Sequence, residues 1–173
     1  MSPVAFGGGG VTVPDMVEHE VVVGKLGVGR RRGLVLIAGP CVIESRDHTL
    51  RLAELIRTAC DRLSLPLVFK ASFDKANRSS GKSFRGPGLE KGLKILAEVR
   101  ERLSLPVLSD IHEPSQAGPA GEVVDVVQVP AFLCRQTDLL EAAGRTGKCV
   151  NVKKGQFMSP EEMGNAVSKV LAA

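Results

Sequence analysis

Tryptophan and tyrosine are missing from the 173 residues, and phenylalanine occurs only six times. Bases therefore find little to stack on, and no helical stripe of lysine and arginine compensates. A sequence pI near 9.0 is then no argument for nucleic acid as a partner. No apolar run approaches the roughly 20 residues that a membrane-crossing helix needs, so no membrane partner is expected. The four cysteines, Cys41, Cys60, Cys134 and Cys149, never fall in a CxxC pair. With no secretory pattern at the start, reduced thiols and a cytoplasmic location are the expectation. What is present is 43% hydrophobic and 24% charged, an ordinary globular composition with enough length to bury a core.

Positive charge is concentrated. Lys70 to Lys91 holds six basic residues and two acids, a net of +4 that equals the formal net charge of the whole chain. Within it, KASFDKANRSSGKSFRGPG (Lys70–Gly88) sets Ser72, Asn77, Ser79, Ser80 and Ser83 between its cations. Pro66 introduces Leu67-Val68-Phe69, a short apolar run that reads as a buried strand. A strand that delivers lysine and arginine onto a Ser/Gly-rich loop is suited to holding phosphate. Charge clusters are also what solvated surface loops look like. Rigid donors, hydroxyls and glycines directly after a strand favour the anion site, because α/β proteins keep their sites there.

Along the chain, residues 1–19, with Gly7-Gly8-Gly9-Gly10 and two prolines, read as a flexible segment. Residues 20–33 read as a hairpin over Glu20–Gly29 and a linker in which Arg30-Arg31-Arg32 is a solvated turn. From Leu34 onward, short apolar runs alternate with helical periods. The predicted strands are Leu34–Ala38, Leu67–Lys70, Val107–Ser109, Val124–Val127 and Val150–Lys153. The predicted helices are Asp47–Leu63, Leu89–Leu103, Ser115–Ala120, Thr137–Thr146 and Ser159–Leu171. Leu89, Leu93, Leu96 and Val99 form a core stripe in the second of these. Ser159-Pro160-Glu161-Glu162 reads as the start of the last, with proline in its first turn. Strands alternating with helices imply a parallel sheet with right-handed crossovers. The period alone does not separate a barrel from an open doubly wound sheet.

KASFDKANRSS followed by SFRGPGLE closely resembles the signature of the 3-deoxy-D-manno-octulosonate 8-phosphate synthase family. The likeness continues, in the family's order, through AGPCVIES, SDIHEPSQA, VVQVPAFLCRQTDLL and NVKKGQF, from about Leu34 to the end of the chain. It implies the α/β class and a (β/α)8 TIM barrel, with a hairpin covering its bottom. Because only five βα units are legible and a complete barrel needs about 250 residues, residues 34–173 are expected to be the N-terminal part of such a domain. The implied reaction condenses phosphoenolpyruvate with arabinose 5-phosphate, an aldol-type step in lipopolysaccharide sugar synthesis.

Residue by residue, the resemblance places Lys70 and Lys75 beside phosphoenolpyruvate, where lysine neutralises an anion and can also hand over a proton. Gln128, the backbone N–H of Ala131 and Lys153 meet its phosphate. Arg78 and Ser79 match the pair that holds the sugar phosphate, and Asn77 is placed for the sugar hydroxyls and the attacking water. Arg135 resembles an arginine that reaches a neighbouring subunit's sugar-phosphate site, which implies a homo-oligomer. Asp110 and His112, two apart at a strand end, point the same way and can orient a water or a metal-bound group. Cys41 stands where metal-dependent members have cysteine and metal-independent ones asparagine. A divalent metal is thus implied for the full-length family, with the other ligands on later strands absent from this chain. Asp74 and Ser80 read as loop framework; Glu44, Asp138 and Glu161 read as caps or ion-pair partners. Two alternatives stay open. One is the related 3-deoxy-heptulosonate phosphate synthase, for which a KPRTS-like segment is expected in place of KANRSS; the other is a non-catalytic phosphate-binding or assembly fragment.

Overall fold

In the computed structural model, which describes residues 20–29 and 31–173, two helices end on the same five residues. Arg62-Leu63-Ser64-Leu65-Pro66 closes α1 (Arg46–Arg62), and Arg102-Leu103-Ser104-Leu105-Pro106 closes α2 (Leu89–Leu103). Each serine takes left-handed backbone, φ 53° at Ser64 and 50° at Ser104, which turns the chain out of the helix. The proline cannot continue a helix and leads into the next strand. Its carbonyl already joins the sheet: Pro66 O accepts from Leu36 N at 2.8 Å and Pro106 O from Phe69 N at 2.9 Å.

The sheet has five parallel strands in chain order: β3 (Leu36–Ala38), β4 (Leu67–Lys70), β5 (Val107–Asp110), β6 (Val126–Val129) and β7 (Cys149–Val152). Its convex side carries α1, α2, α3 (Ala117–Val123), α4 (Thr137–Gly144) and α5 (Met163–Leu171). Phe69, Val107, Val127 and Val129 from the strands pack there against Leu50, Leu96, Val99 and Leu140 from the helices. Full burial of each such side chain contributes about 1.5–3 kcal/mol. The concave side is smaller. Val68, Leu108 and Val126 meet Val23 of an antiparallel hairpin, β1 (Val21–Val23) and β2 (Leu26–Val28), turned through Gly24 at φ 60°. Cys149 Sγ donates to Val22 O at 3.0 Å, tying the hairpin to β7. The sheet is thus curled around the hairpin as a half-barrel. No helix among the described residues is long and apolar enough to cross a membrane.

The expected segment 1–19 lies outside the described residues. The predicted bounds of β4 and α2 coincide with the structure. The strand expected at Leu34–Ala38 begins at Leu36, with Leu34 exposed, and the helix expected at Thr137–Thr146 ends at Gly144. Three further elements need correction. The strand expected at Val124–Val127 begins two residues later. Val124 N still bonds Ala120 O at 2.8 Å, and the Asp125 carboxylate accepts from Val107 N at 2.9 Å, so both residues belong to the helix exit. The short helix expected at Ser115–Ala120 is a 3₁₀ turn, Pro114–Gln116, followed by α3. The last helix begins at Met163 and not at Ser159. Ser159 and Glu162 do bond reciprocally, side chain to backbone, at 2.8 and 3.2 Å. The backbone bonds that follow (Met163 N to Pro160 O, Gly164 N to Glu161 O) span three residues, so this capping pair closes a turn ahead of the helix.

Candidate active site

Alternation along parallel strands decides what faces the hollow of the half-barrel. Lys70 ends β4 and Asp110 ends β5. The register pairs Asp110 with Gln128 and Gln128 with Asn151, so polar residues form a layer directly above the apolar one that meets the hairpin. At this C-terminal edge lies a cavity of about 360 Å³. Lys75, Asn77, Asp110, His112, Gln128 and Lys153 line it, with Pro130–Leu133 as a wall.

The Asp110 carboxylate, 5% exposed, sits between two ammonium groups: Lys70 Nζ is 4.0 Å from Oδ1 and Lys75 Nζ is 4.0 Å from Oδ2. Burial alone would raise its pKa. Hydrogen bonding from His112 and Ser72, with the charges of Lys70 and Lys75, outweighs that and holds it at about 2. Asp110 is therefore ionised at neutral pH and can only accept. In the 3.2 Å contact with His112 Nε2 the imidazole is thus the donor. Phe73 abuts the imidazole edge-on, with centroids 6.1 Å apart, and Gln116 Oε1 accepts from His112 N at 2.8 Å. Lys70 donates to Ser72 Oγ at 2.7 Å and to Cys41 O at 3.3 Å. Burial is the largest influence on its ammonium, and despite the opposing pull of Asp110 the pKa is lowered to about 8.

Gln128 is buried, and its Oε1 accepts from Asn151 Nδ2 at 2.9 Å. This bond sets the amide's orientation and leaves Nε2 as its donor. Ala131 opens a 3₁₀ turn, Ala131–Leu133, whose first N–H groups have no acceptor within the turn. Lysines, an amide and free N–H groups around one hollow make a site for an anion, with a carboxylate–imidazole pair in its wall.

Not every expected residue is brought there. Arg78 and Ser79 are exposed on the loop after β4, and Arg78 lines a separate cleft with Val42, Glu44, Ser83 and Phe84. Its Nε donates to Phe84 O of the same loop at 3.3 Å. Arg135 lies in a third cleft, beside Met158, Asn165 and Lys169. Arg78 therefore does not share the cavity that Lys75, Gln128 and Lys153 line. Asp74 and Ser80 do frame the loop, through Arg85 and through Lys82 N respectively. Glu44, Asp138 and Glu161, expected as caps or ion-pair partners, are exposed.

Cys41 is exposed at the end of β3, near the Lys70 ammonium. Among the described residues no three His, Cys, Asp or Glu side chains converge as metal ligands. A thiol beside a lysine is not by itself a donor set for a divalent ion, so the residues present do not fit a metal and no chemistry is derived through one. Asn151 and Gln156 were not among the expected residues. Asn151 shares its strand face with Lys153, which is the signal that points to it; Gln156 sits on a loop and has no such signal.

The sequence profile of the DAHP synthetase I family matches residues 16–173. A 2-dehydro-3-deoxyphosphooctonate aldolase from Trichlorobacter lovleyi is 59% identical over 157 residues, covering 91% of this chain and 58% of its own length. One of the same name from Geobacter metallireducens is 60% identical, with the same coverage. Another, from Geobacter sulfurreducens, is 58% identical over 156 residues. The chain thus spans a little under three-fifths of these curated relatives. With a match that spans all the described residues, the chain belongs to the DAHP synthetase I family.

Proposed function

We propose that this chain carries the phosphoenolpyruvate half of a 3-deoxy-D-manno-octulosonate 8-phosphate synthase site, on five βα units of a (β/α)8 barrel formed from residues 34–173. The observation that carries the reading is the cavity in which Lys75, Lys153, Gln128 and the Ala131 turn surround the Asp110–His112 pair, with Lys70 one ion contact behind. Relatives named 2-dehydro-3-deoxyphosphooctonate aldolase support it over the heptulosonate alternative, as does KANRSS in place of a KPRTS-like segment.

The reaction brings two anions together, which their repulsion opposes and local lysine charge offsets. The alkene carbon of phosphoenolpyruvate forms the new C–C bond to the sugar aldehyde, whose oxygen takes a proton. Water adds to the neighbouring carbon, and phosphate leaves with cleavage of its C–O bond. Lys153, Gln128 and the Ala131 N–H hold the phosphate, while Lys70 and Lys75 meet the carboxylate and offer a proton. The Asp110–His112 pair orients the adding water, whose proton replaces the one a lysine gave to the sugar oxygen. Arg78, Ser79 and Asn77 serve the sugar phosphate, with Arg135 directed at a neighbouring copy. In this reading the loop must carry Arg78 from its own cleft to the cavity mouth. Calorimetry with phosphoenolpyruvate tests the first half and phosphate release on adding arabinose 5-phosphate tests the second. Binding of neither compound overturns the proposal.

A further inference from the structure

Ser72 is wholly buried, at 0% exposure, where a hydroxyl is costly unless it is bonded. Its backbone is pinned, since Ser72 O accepts from Ile43 N at 2.9 Å, so the side chain has little freedom to drift. Its Oγ takes a hydrogen bond from Lys70 Nζ at 2.7 Å. A second Lys70 donor goes to Cys41 O at 3.3 Å. Asp110 Oδ1 is only 4.0 Å from the same ammonium, yet no hydrogen bond joins the two, and the Ser72 hydroxyl that accepts from Lys70 also helps to hold Asp110 ionised. A direct ammonium–carboxylate bond forms at about 2.7–2.9 Å and would satisfy both groups. The lysine is instead held on the serine, and Lys75 stands equally far from the other carboxylate oxygen. Asp110 is bracketed by two cations and bonded to neither.

We propose that Ser72 is a positioning residue, a spacer that holds the Lys70 ammonium off Asp110 so that its charge stays available to an incoming carboxylate or phosphate. A direct ion pair would commit that charge within the protein and leave an anion to compete for it. The inference deepens the proposed function and names a residue assigned no role there.

Two measurements on the whole chain test it, one with no ligand. In a crystal structure of Ser72→Ala, the Lys70 Nζ to Asp110 Oδ1 separation is expected to fall from 4.0 Å to about 3 Å. A separation that stays near its present value overturns the spacer. Ser72→Gly removes the same hydroxyl and carries the same expectation should the alanine variant not fold. The second measurement is calorimetric titration with phosphoenolpyruvate. Ser72→Ala is expected to bind about tenfold more weakly, and Ser72→Ala/Asp110→Asn to recover most of that loss, because the lysine then has no carboxylate to collapse onto. Losses that add in the double variant overturn the spacer. Should the unaltered chain bind no phosphoenolpyruvate while the contact still closes in Ser72→Ala, the spacer stands and the proposed function fails.

Discussion

Asp74 and Arg85, eleven positions apart, face each other across the neck of the loop that follows β4, with Nε donating to Oδ1 at 2.8 Å. Lys75 N donates to Arg85 O at 2.7 Å beside them, and Gly88 N to Phe73 O at 3.1 Å. The base of the loop is thereby closed, while within its tip Arg78 is held by one 3.3 Å side-chain bond. Hydrogen bonding from Arg85 is the main reason the Asp74 carboxyl lies below its usual range. Arg85→Ala is expected to raise the rate of proteolytic cleavage between residues 76 and 84 several-fold while the global unfolding midpoint hardly moves. Unchanged cleavage would mean the backbone bonds suffice.

Asp110 gives the fold a pH dependence whose sign follows from its depressed pKa, about 2 against an ordinary 3.8. Between those values the unfolded chain binds more protons, so stability rises with pH across that window and is lost as pH falls through it. Full ionisation contributes about 2 kcal/mol by this linkage. The acid-denaturation curves of the unaltered chain and Asp110→Asn should differ in slope chiefly between about pH 4 and pH 2. Parallel curves there would remove Asp110 as the source.

Gly92 lets α2 lie against the loop, since a Cβ at this position would come within 2.3 Å of Phe73 Cβ. Phe73 in turn touches His112. Gly92→Ala should destabilise the fold by about 1–3 kcal/mol in denaturant titration, the usual range for overpacking. The His112 ring resonances should shift with it. A variant of unchanged stability would show that the loop moves aside freely.

Lys153 and Arg78 lie in different clefts and are expected to serve different ligands. Lys153→Ala should weaken phosphoenolpyruvate by roughly 1.5–3 kcal/mol and leave arabinose 5-phosphate nearly unaffected; Arg78→Ala should do the reverse. Calorimetry in which each substitution weakens both ligands alike would end that division.

Strand residues were legible where the period of two applied. Gln128 and Lys153 reach the cavity because alternate positions of β6 and β7 face one way. The bounds of α2 were legible because Leu93, Leu96 and Val99 recur at helical spacing and Gly88 stands just ahead of the helix. The start of β6 was not, because Asp125 is spent on the backbone N–H of Val107, a contact 18 positions away that no local pattern encodes. The placement of Arg78 failed for a related reason. Spacing on a loop says which residues are neighbours in sequence and nothing of the direction in which the loop folds back. Motif resemblance speaks to the roles of individual side chains; the bonds that orient them, such as Asn151 on Gln128, arise only where β6 and β7 pair.

Every strand of the five-stranded sheet after the first pairs with the one before it in the chain. Such an order has a consequence for assembly: as the polypeptide emerges from synthesis, each βα unit finds a ready edge and no strand waits for a distant partner. The charges of the cavity are then introduced in stages. Lys70 and Lys75 arrive first, and Asp110 joins them one strand later as counter-charge. Lys153 closes the set only when β7 docks, on a framework that already holds the earlier cations in place. The repulsion that Lys153 adds is thus met last, by a structure stiff enough to bear it.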